Sequence, residues 1–157
     1  TRWLLAAWHA HRRDTLRLKG LRDAVLADTQ STPLPLRAAF DGHLALAHAD
    51  TENAVNHFRT LRVNVSAEAL EWGLAEPLAL ERLVLAGFAL ARGNFAEAHR
   101  IGAVFDHPAP IAYLPYLPAS LQIRLRAAEG MGRPDLVARY QIRLRRLQAL
   151  RGIALGH

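Results

Sequence analysis

The segment FALARGNFAEAHRIGAVF, residues 88–105, decides the fold of this chain. Gly93 stands where a first helix has to end, because glycine adopts the left-handed backbone conformation of a helix terminus at little steric cost. Asn94 follows as a candidate N-cap of a second helix, and Glu97 lies three residues later in the spacing of a capping box. The segment therefore predicts two antiparallel helices joined by a tight turn.

The same pattern occurs at two other places in the chain. Residues 44–58, LALAHADTENAVNHF, align without gaps with residues 88–102 at a spacing of 44. In this alignment Ala54 falls on Ala98, where a small residue allows two helices to approach closely. A weaker copy of the turn lies 39 residues further on, at Gly132. Repetition at such intervals predicts stacked helical hairpins.

These repeats resemble the tetratricopeptide repeat (TPR) family. The resemblance implies an all-α fold, a TPR-like right-handed superhelix of antiparallel helical hairpins. The spacings exceed the roughly 34 residues of a standard TPR, and four prolines within residues 107–118 account for the later interval, because proline blocks a regular helix. The phrases YLPYLPAS, residues 113–120, and EGMGRPDL, residues 129–136, are also similar to TPR arrays downstream of bacterial serine/threonine kinase or transcription-regulator domains.

A chain of 157 residues that is 51% apolar is expected to form a single helical repeat domain. Asp14 divides its first part, which is either one long helix or a tight hairpin. The chain begins at Thr1 and its only methionine is Met131, so we interpret it as a fragment of a larger protein. The expected parts are an N-terminal helical segment (1–32), two hairpins (33–65 and 66–108) and a hairpin with the terminal helix (109–157).

The expected helices after the first part start at proline or at capping residues. Thr32 with Pro33 and Ser66 are start signals, since proline is tolerated only in the first turn of a helix. Pro118 is the last residue at which the helix before the Gly132 turn can begin. The other expected helices span about 33–48, 51–61, 68–72, 77–92, 95–105 and 134–151.

Composition bears on disulfides, on thiolate metal sites and on membrane-spanning segments. The absence of cysteine excludes disulfides and thiolate metal sites. The longest purely apolar run, residues 83–91, is too short to span a bilayer. No secretory signal is visible, although a fragment could have lost one, so the compartment stays open, with a soluble domain in the cytoplasm favoured.

The sequence contains no recognisable catalytic or cofactor motif. None of the three serines lies in a nucleophile-elbow context, and there is no phosphate-binding P-loop. The eight histidines lack the i, i+3 or i+4 spacing of zinc ligands on a helix, as the five-residue separation of His43 and His48 illustrates. We therefore expect no enzymatic activity, no cofactor and no metal site.

The TPR resemblance implies a concave surface that holds a ligand and is lined by the first helix of each hairpin. Asp41, Arg82 and Arg124 stand where that family has bulky apolar residues, so a register shifted by one stays open. An apolar groove suits an amphipathic helix, from a partner or from a neighbouring domain of the same protein. The implied groove residues are Leu36, Ala39, His43, Leu46, Leu80, Leu83, Gly87, Leu90, Gln122 and Arg126, with Ala119 and Glu129 at the polar end.

The arginine-rich C-terminal part supports an alternative function. Residues 120–157 carry the whole net charge of +6. Arg139, Arg143 and Arg146 lie at i, i+4 and i+7, so they share one flank of a helix and form a candidate basic patch for nucleic acid. A solvated outer face of a terminal repeat explains the same pattern, and an acidic protein partner is the third interpretation.

Overall fold

Helices and helical turns make up the regular secondary structure of the described residues, which are 2–27, 34–61, 78–106 and 111–154 in this computed structural model. The all-α prediction is confirmed. The expected helix at 68–72 and the start signals at Thr32 and Ser66 lie outside the described residues. The helices are α1 Arg2–His11, α2 Thr15–Ala27, α3 Leu34–Ala47, α4 Thr51–Thr60, α5 Ala79–Ala91, α6 Phe95–Ala103, α7 Leu117–Gly130 and α8 Pro134–Ala154, with 3₁₀ turns at Val104–Asp106 and Ile111–Tyr116.

The chain divides into two compact units, Thr1–Glu81 and Arg82–His157. In the first unit α1, α2 and α3 pack against one another, and α4 packs against α3. In the second unit α7 lies between α6 and α8. The C-terminal half of α5 joins this second core through Ala89, which packs with Ala98 and Ala127.

Four turns between consecutive helices share one backbone geometry. In each turn one residue has a positive φ, and the next residue donates its N–H to the carbonyl five positions earlier, as in a Schellman motif. These N···O distances are 2.9–3.0 Å. The turn at Arg13 decides between the two interpretations of the first segment, because it separates α1 from α2 as a hairpin. The positive-φ residues are Arg13 (55°), Ala49 (61°), Gly93 (74°) and Gly132 (64°).

Side-chain caps begin two of the second helices of these hairpins. Asp14 accepts a hydrogen bond from the backbone N–H of Arg17 at 3.2 Å, and Asp50 accepts one from Asn53 at 3.0 Å. Each cap satisfies a backbone donor that the first helical turn leaves without an intrahelical partner. Asn94 occupies the N-cap of α6 as predicted, but its side chain makes no capping hydrogen bond.

Small residues set the distance between the helices of a hairpin. Ala54 and Ala98, the pair aligned by the repeat, are both fully buried. A Cβ atom added to Gly42 of α3 would lie 2.2 Å from the ring of Phe58 of α4, so the two helices touch at this glycine. The burial of both alanines agrees with the close packing predicted for the paired helices.

We expect Ala54→Leu and Ala98→Leu each to lower the free energy of unfolding by about 1–3 kcal/mol, because the added atoms have no space between the paired helices. Urea denaturation measures this loss. Ala96→Leu is the matched control, because Ala96 lies on the exposed face of α6 and should leave stability nearly unchanged. Equal stability of all three variants and the wild type would contradict the close packing.

We expect Ala49→Gly to raise the free energy of unfolding by about 0.5–1 kcal/mol, because it removes an L-residue from a left-handed backbone position. Gly93→Ala should lower it by a similar amount for the converse reason. Gly20→Ala in the interior of α2 is the control, because its backbone is helical and alanine should stabilise it. The same denaturation experiment tests all three signs, and a stabilising Gly93→Ala would disprove the turn geometry.

Candidate partner-binding site

The residues predicted to line a groove are divided between the two compact units. Leu36 lies in α3, but its side chain is outside the described part of the chain. The first unit contains Leu36, Ala39, His43, Leu46 and Leu80, and the second contains Leu83, Gly87, Leu90, Gln122 and Arg126.

In the first unit the structure places two predicted groove residues in the interior. Ala39 and His43 are fully buried, so neither offers surface to a ligand, in contrast to the prediction. The Nε2 atom of His43 lies 2.7 Å from Oε1 of the buried Glu81, and its ring packs edge-on against Phe58. A histidine that has a buried carboxylate partner serves the core of its unit. Leu46 and Leu80 are half-buried.

In the second unit the predicted residues of α5 share one accessible face. Leu83, Gly87 and Leu90 are half-buried and lie at i, i+4 and i+7. A Cβ atom added to Gly87 would meet no heavy atom within 4 Å, so the space beside this glycine is open. The two leucines therefore flank an unoccupied position on an apolar face.

Helix α7 carries the polar residues of the predicted groove. Gln122 and Arg126 are exposed on α7 at i and i+4. Helices α5 and α7 meet in one apolar cluster, where Ala89 of α5 packs with Ala127 of α7 and with the partly buried Leu90. We refer to Leu83, Gly87, Leu90, Gln122 and Arg126 together as the α5–α7 surface.

Charged residues at expected apolar positions have partners inside the fold. Asp41 accepts a hydrogen bond from Nε of Arg22. Arg124 is fully buried, donates to Asp106 and holds its guanidinium 4.9 Å from the ring centre of Tyr140. These partners accommodate the charges of Asp41 and Arg124 inside the units that contain them.

Asp106 joins two arginines of different helices. Arg124 of α7 donates to it at 2.9 Å and Arg143 of α8 at 2.6 Å. Burial alone would raise the pKa of Asp106, but the hydrogen bonds and charges of Arg124 and Arg143 outweigh it and hold that pKa well below its ordinary value. The carboxylate therefore fastens α8 to α7 and to the end of α6.

This network changes the predicted basic patch. Arg139 and Arg146 are exposed, but Arg143 is turned toward Asp106 and its charge is offset. The candidate patch therefore has two exposed cations, Arg139 and Arg146, and a third, Arg143, whose charge is offset by Asp106. The lone aspartate at the end of α6 was the only signal in the sequence for this pairing.

A second polar contact joins α6 to α8 next to this network. Nε2 of His99 on α6 lies 2.7 Å from the hydroxyl of Tyr140 on α8. Burial lowers the pKa of His99, and the positive charges of Arg124 and Arg133 lower it further. Sequence spacing does not reveal this pair, because the two residues are 41 positions apart.

The described residues offer neither a metal site nor a membrane span. No group of three or more histidine, aspartate or glutamate side chains there could hold a metal ion. None of the helices in that part of the chain has both the length and the apolar character needed to traverse a bilayer.

Comparison with protein-family models, with curated proteins and with solved structures finds no match. The fold and the surfaces described above define the class of this chain as an all-α protein built from helical hairpins.

We expect Asp106→Asn to lower the free energy of unfolding at pH 7 by about 1–2 kcal/mol, because it leaves the buried Arg124 without a counter-charge. The loss is smaller than for a fully buried pair, since the Asp106 side chain is 35% exposed. Denaturation at pH 7 measures it. Asp23→Asn is the control, because its ion pair with Arg22 is on the surface.

The same variant has a defined pH dependence. The folded pKa of Asp106 is depressed, so its contribution is complete above the unfolded pKa of about 4 and is lost as pH falls through the folded value. The stability difference between wild type and Asp106→Asn should therefore shrink from pH 7 to pH 3. A difference that stays constant over this range would contradict the pairing.

Proposed function

We propose that the protein is a non-catalytic interaction scaffold, a TPR-like right-handed superhelix that binds a partner helix or peptide on the α5–α7 surface. The observation that carries the proposal is the open space at Gly87, between two partly exposed leucines two turns apart on α5. A ligand side chain fits beside Gly87, because glycine has no side chain to cover the helix backbone there.

The repeated turn supports the TPR-like architecture. Four helical hairpins whose turns share the same hydrogen bonds are what a stack of similar supersecondary units requires, although their intervals exceed the standard TPR period. Each unit of such a stack buries its apolar face only against its neighbours, and the accessible faces of its helices then serve binding.

The chemistry of the α5–α7 surface favours a helical partner. Leu83 and Leu90 match the spacing of apolar anchors on an amphipathic helix. Gln122 and Arg126 supply polar groups at the neighbouring helix, where they would orient the partner. The partner helix belongs to another protein or to a neighbouring domain of the same protein.

A clamp for a terminal carboxylate is less well supported. Such a clamp needs several cationic or amide side chains around one point. His43 is buried beside Glu81 in the first unit, which leaves Arg126 as the cation among the predicted groove residues. The nucleic-acid alternative is likewise weakened, because Arg143 of the predicted patch is already paired with Asp106.

The proposal is tested by selecting a phage-displayed library of amphipathic helical peptides on the full chain. We expect selected peptides to lose binding, by about ten-fold or more, to Gly87→Leu, because the new side chain fills the open space. That variant should fold at least as stably as wild type, since leucine favours a helix more than glycine does. Gly20→Leu is the matched control, a change of the same kind in open space on α2 of the first unit.

Two aspartate variants on α5 separate the surface from the core. We expect Leu83→Asp to remain folded and to lose the selected peptides, because its side chain is partly exposed. Leu85→Asp, two residues away and buried, should unfold the unit. Melting curves with and without peptide distinguish them. Unfolding of Leu83→Asp, or peptide binding indifferent to both Leu83→Asp and Gly87→Leu, would refute the proposed surface.

A further inference from the structure

Helix α8 has an outer face that the core of the second unit does not use. Its inner residues, including Tyr140, pack with Leu121 and Ala128 of α7. We define the outer face as the exposed residues along the opposite side of the helix. They are Ala138, Ile142, Arg145 and Ala149, flanked by Arg139, Arg146 and Leu150.

The charge on this face is uniformly positive. Arg139, Arg145 and Arg146 are exposed, and none of them forms an ion pair with another described residue. Beyond Asp135 the chain contains no acidic residue. The face therefore has cations that attract carboxylates and no carboxylate of its own to compete.

Apolar side chains lie among these cations. Ile142 is 44% exposed and Leu150 is 63% exposed. A helix face that contacts only water does not need large apolar side chains at these positions. Ala138 and Ala149 are small and exposed, so a second helix can approach the backbone of α8 closely at both ends of the stripe. The spacing of Ala138, Ile142, Arg145 and Ala149 is i, i+4, i+7 and i+11, the pattern of a helix–helix contact.

We propose that the outer face of α8 binds an acidic amphipathic helix of a partner protein, at a second site separate from the α5–α7 surface. Apolar residues of that helix pack on Ile142 and Leu150, and its glutamates or aspartates pair with Arg139 and Arg146. Charge complementarity selects the partner, because Arg145 lies within the stripe, Arg139 and Arg146 lie beside it, and the face carries no carboxylate.

Nucleic acid fits this face less well than an acidic helix does. Phosphates would use the arginines, but Ile142 and Leu150 contribute nothing to phosphate binding. Single strands bind through stacking on exposed aromatic rings, and the one aromatic residue of α8, Tyr140, is buried and bonded to His99.

A second copy of this chain is also disfavoured as the occupant. Pairing of two α8 outer faces would bring like charges together. Residues 1–119 have no net charge, so the rest of the chain supplies no acidic excess for the arginines of α8.

The test uses the full chain and a fluorescein-labelled helical peptide of about 20 residues, with leucines at i, i+4, i+7 and i+11 flanked by glutamates. We expect fluorescence anisotropy to show binding that the same peptide with lysines in place of glutamates lacks. Arg139→Gln with Arg146→Gln should weaken binding about ten-fold, because two exposed ion pairs are removed. Ile142→Gln should also weaken it. All of these proteins carry Gly87→Leu in addition, so that the α5–α7 surface does not contribute to the binding measured.

The absence of cysteine in the chain allows the contact to be mapped directly. Ala149→Cys should form a disulfide with a cysteine at the end of the peptide stripe, whereas Asn56→Cys, exposed on α4, should not. This cross-link locates the peptide on α8 even if a glutamine variant changes the stability of the protein.

Three results would overturn the proposal. The first is that the glutamate and lysine peptides bind with equal affinity, or that neither peptide binds. The second is loss of the glutamate peptide in Gly87→Leu, which would assign the peptide to the α5–α7 surface. The third is tight binding of a 20-nucleotide RNA or DNA that displaces the peptide and whose affinity is unchanged by Ile142→Gln. This result would make the outer face a phosphate-binding site. Failure of the α5–α7 surface alone leaves these predictions standing, so the two proposals fail separately.

Discussion

The structure depends on a turn in which one residue adopts a left-handed backbone conformation and reverses the chain. The hydrogen bond that follows, from the next N–H to the carbonyl five positions earlier, ends the first helix and starts the second alongside it. Glycine occupies this position at residues 93 and 132, whereas Arg13 and Ala49 adopt it at a steric cost. The small residues Ala54 and Ala98 then allow the paired helices to approach closely.

The second unit adds a polar constraint to this apolar scheme. Arg124 is buried at a position where an apolar residue would be expected, and Asp106 compensates its charge. Because Arg143 binds the same carboxylate, α7 and α8 are both held to the 3₁₀ turn Val104–Asp106 through a single side chain. Burying an ion costs free energy unless it is paired with good geometry, so this cluster specifies one placement of α8 on α7.

The accessible surfaces that result have different chemistry. The α5–α7 surface is apolar around the open space at Gly87, with polar groups on one side. The outer face of α8 combines exposed arginines with Ile142 and Leu150. A scaffold with both surfaces would bind partners of different character, one through apolar packing and one through charge as well. Neither proposed role requires a reacting group or a bound ion.

The sequence by itself determined the local elements, because a turn glycine, a proline at a helix start and the 3.6-residue period act over a few neighbouring residues. It therefore predicted the all-α class, the turns at Gly93 and Gly132 and the burial of Ala54 and Ala98. Tertiary structure alone decided which charges are neutralised. Arg143 and Arg146 look equivalent along the helix, but only Arg143 faces Asp106. His43 likewise lies on a predicted ligand face and is buried against Glu81, because partners distant in sequence determine burial.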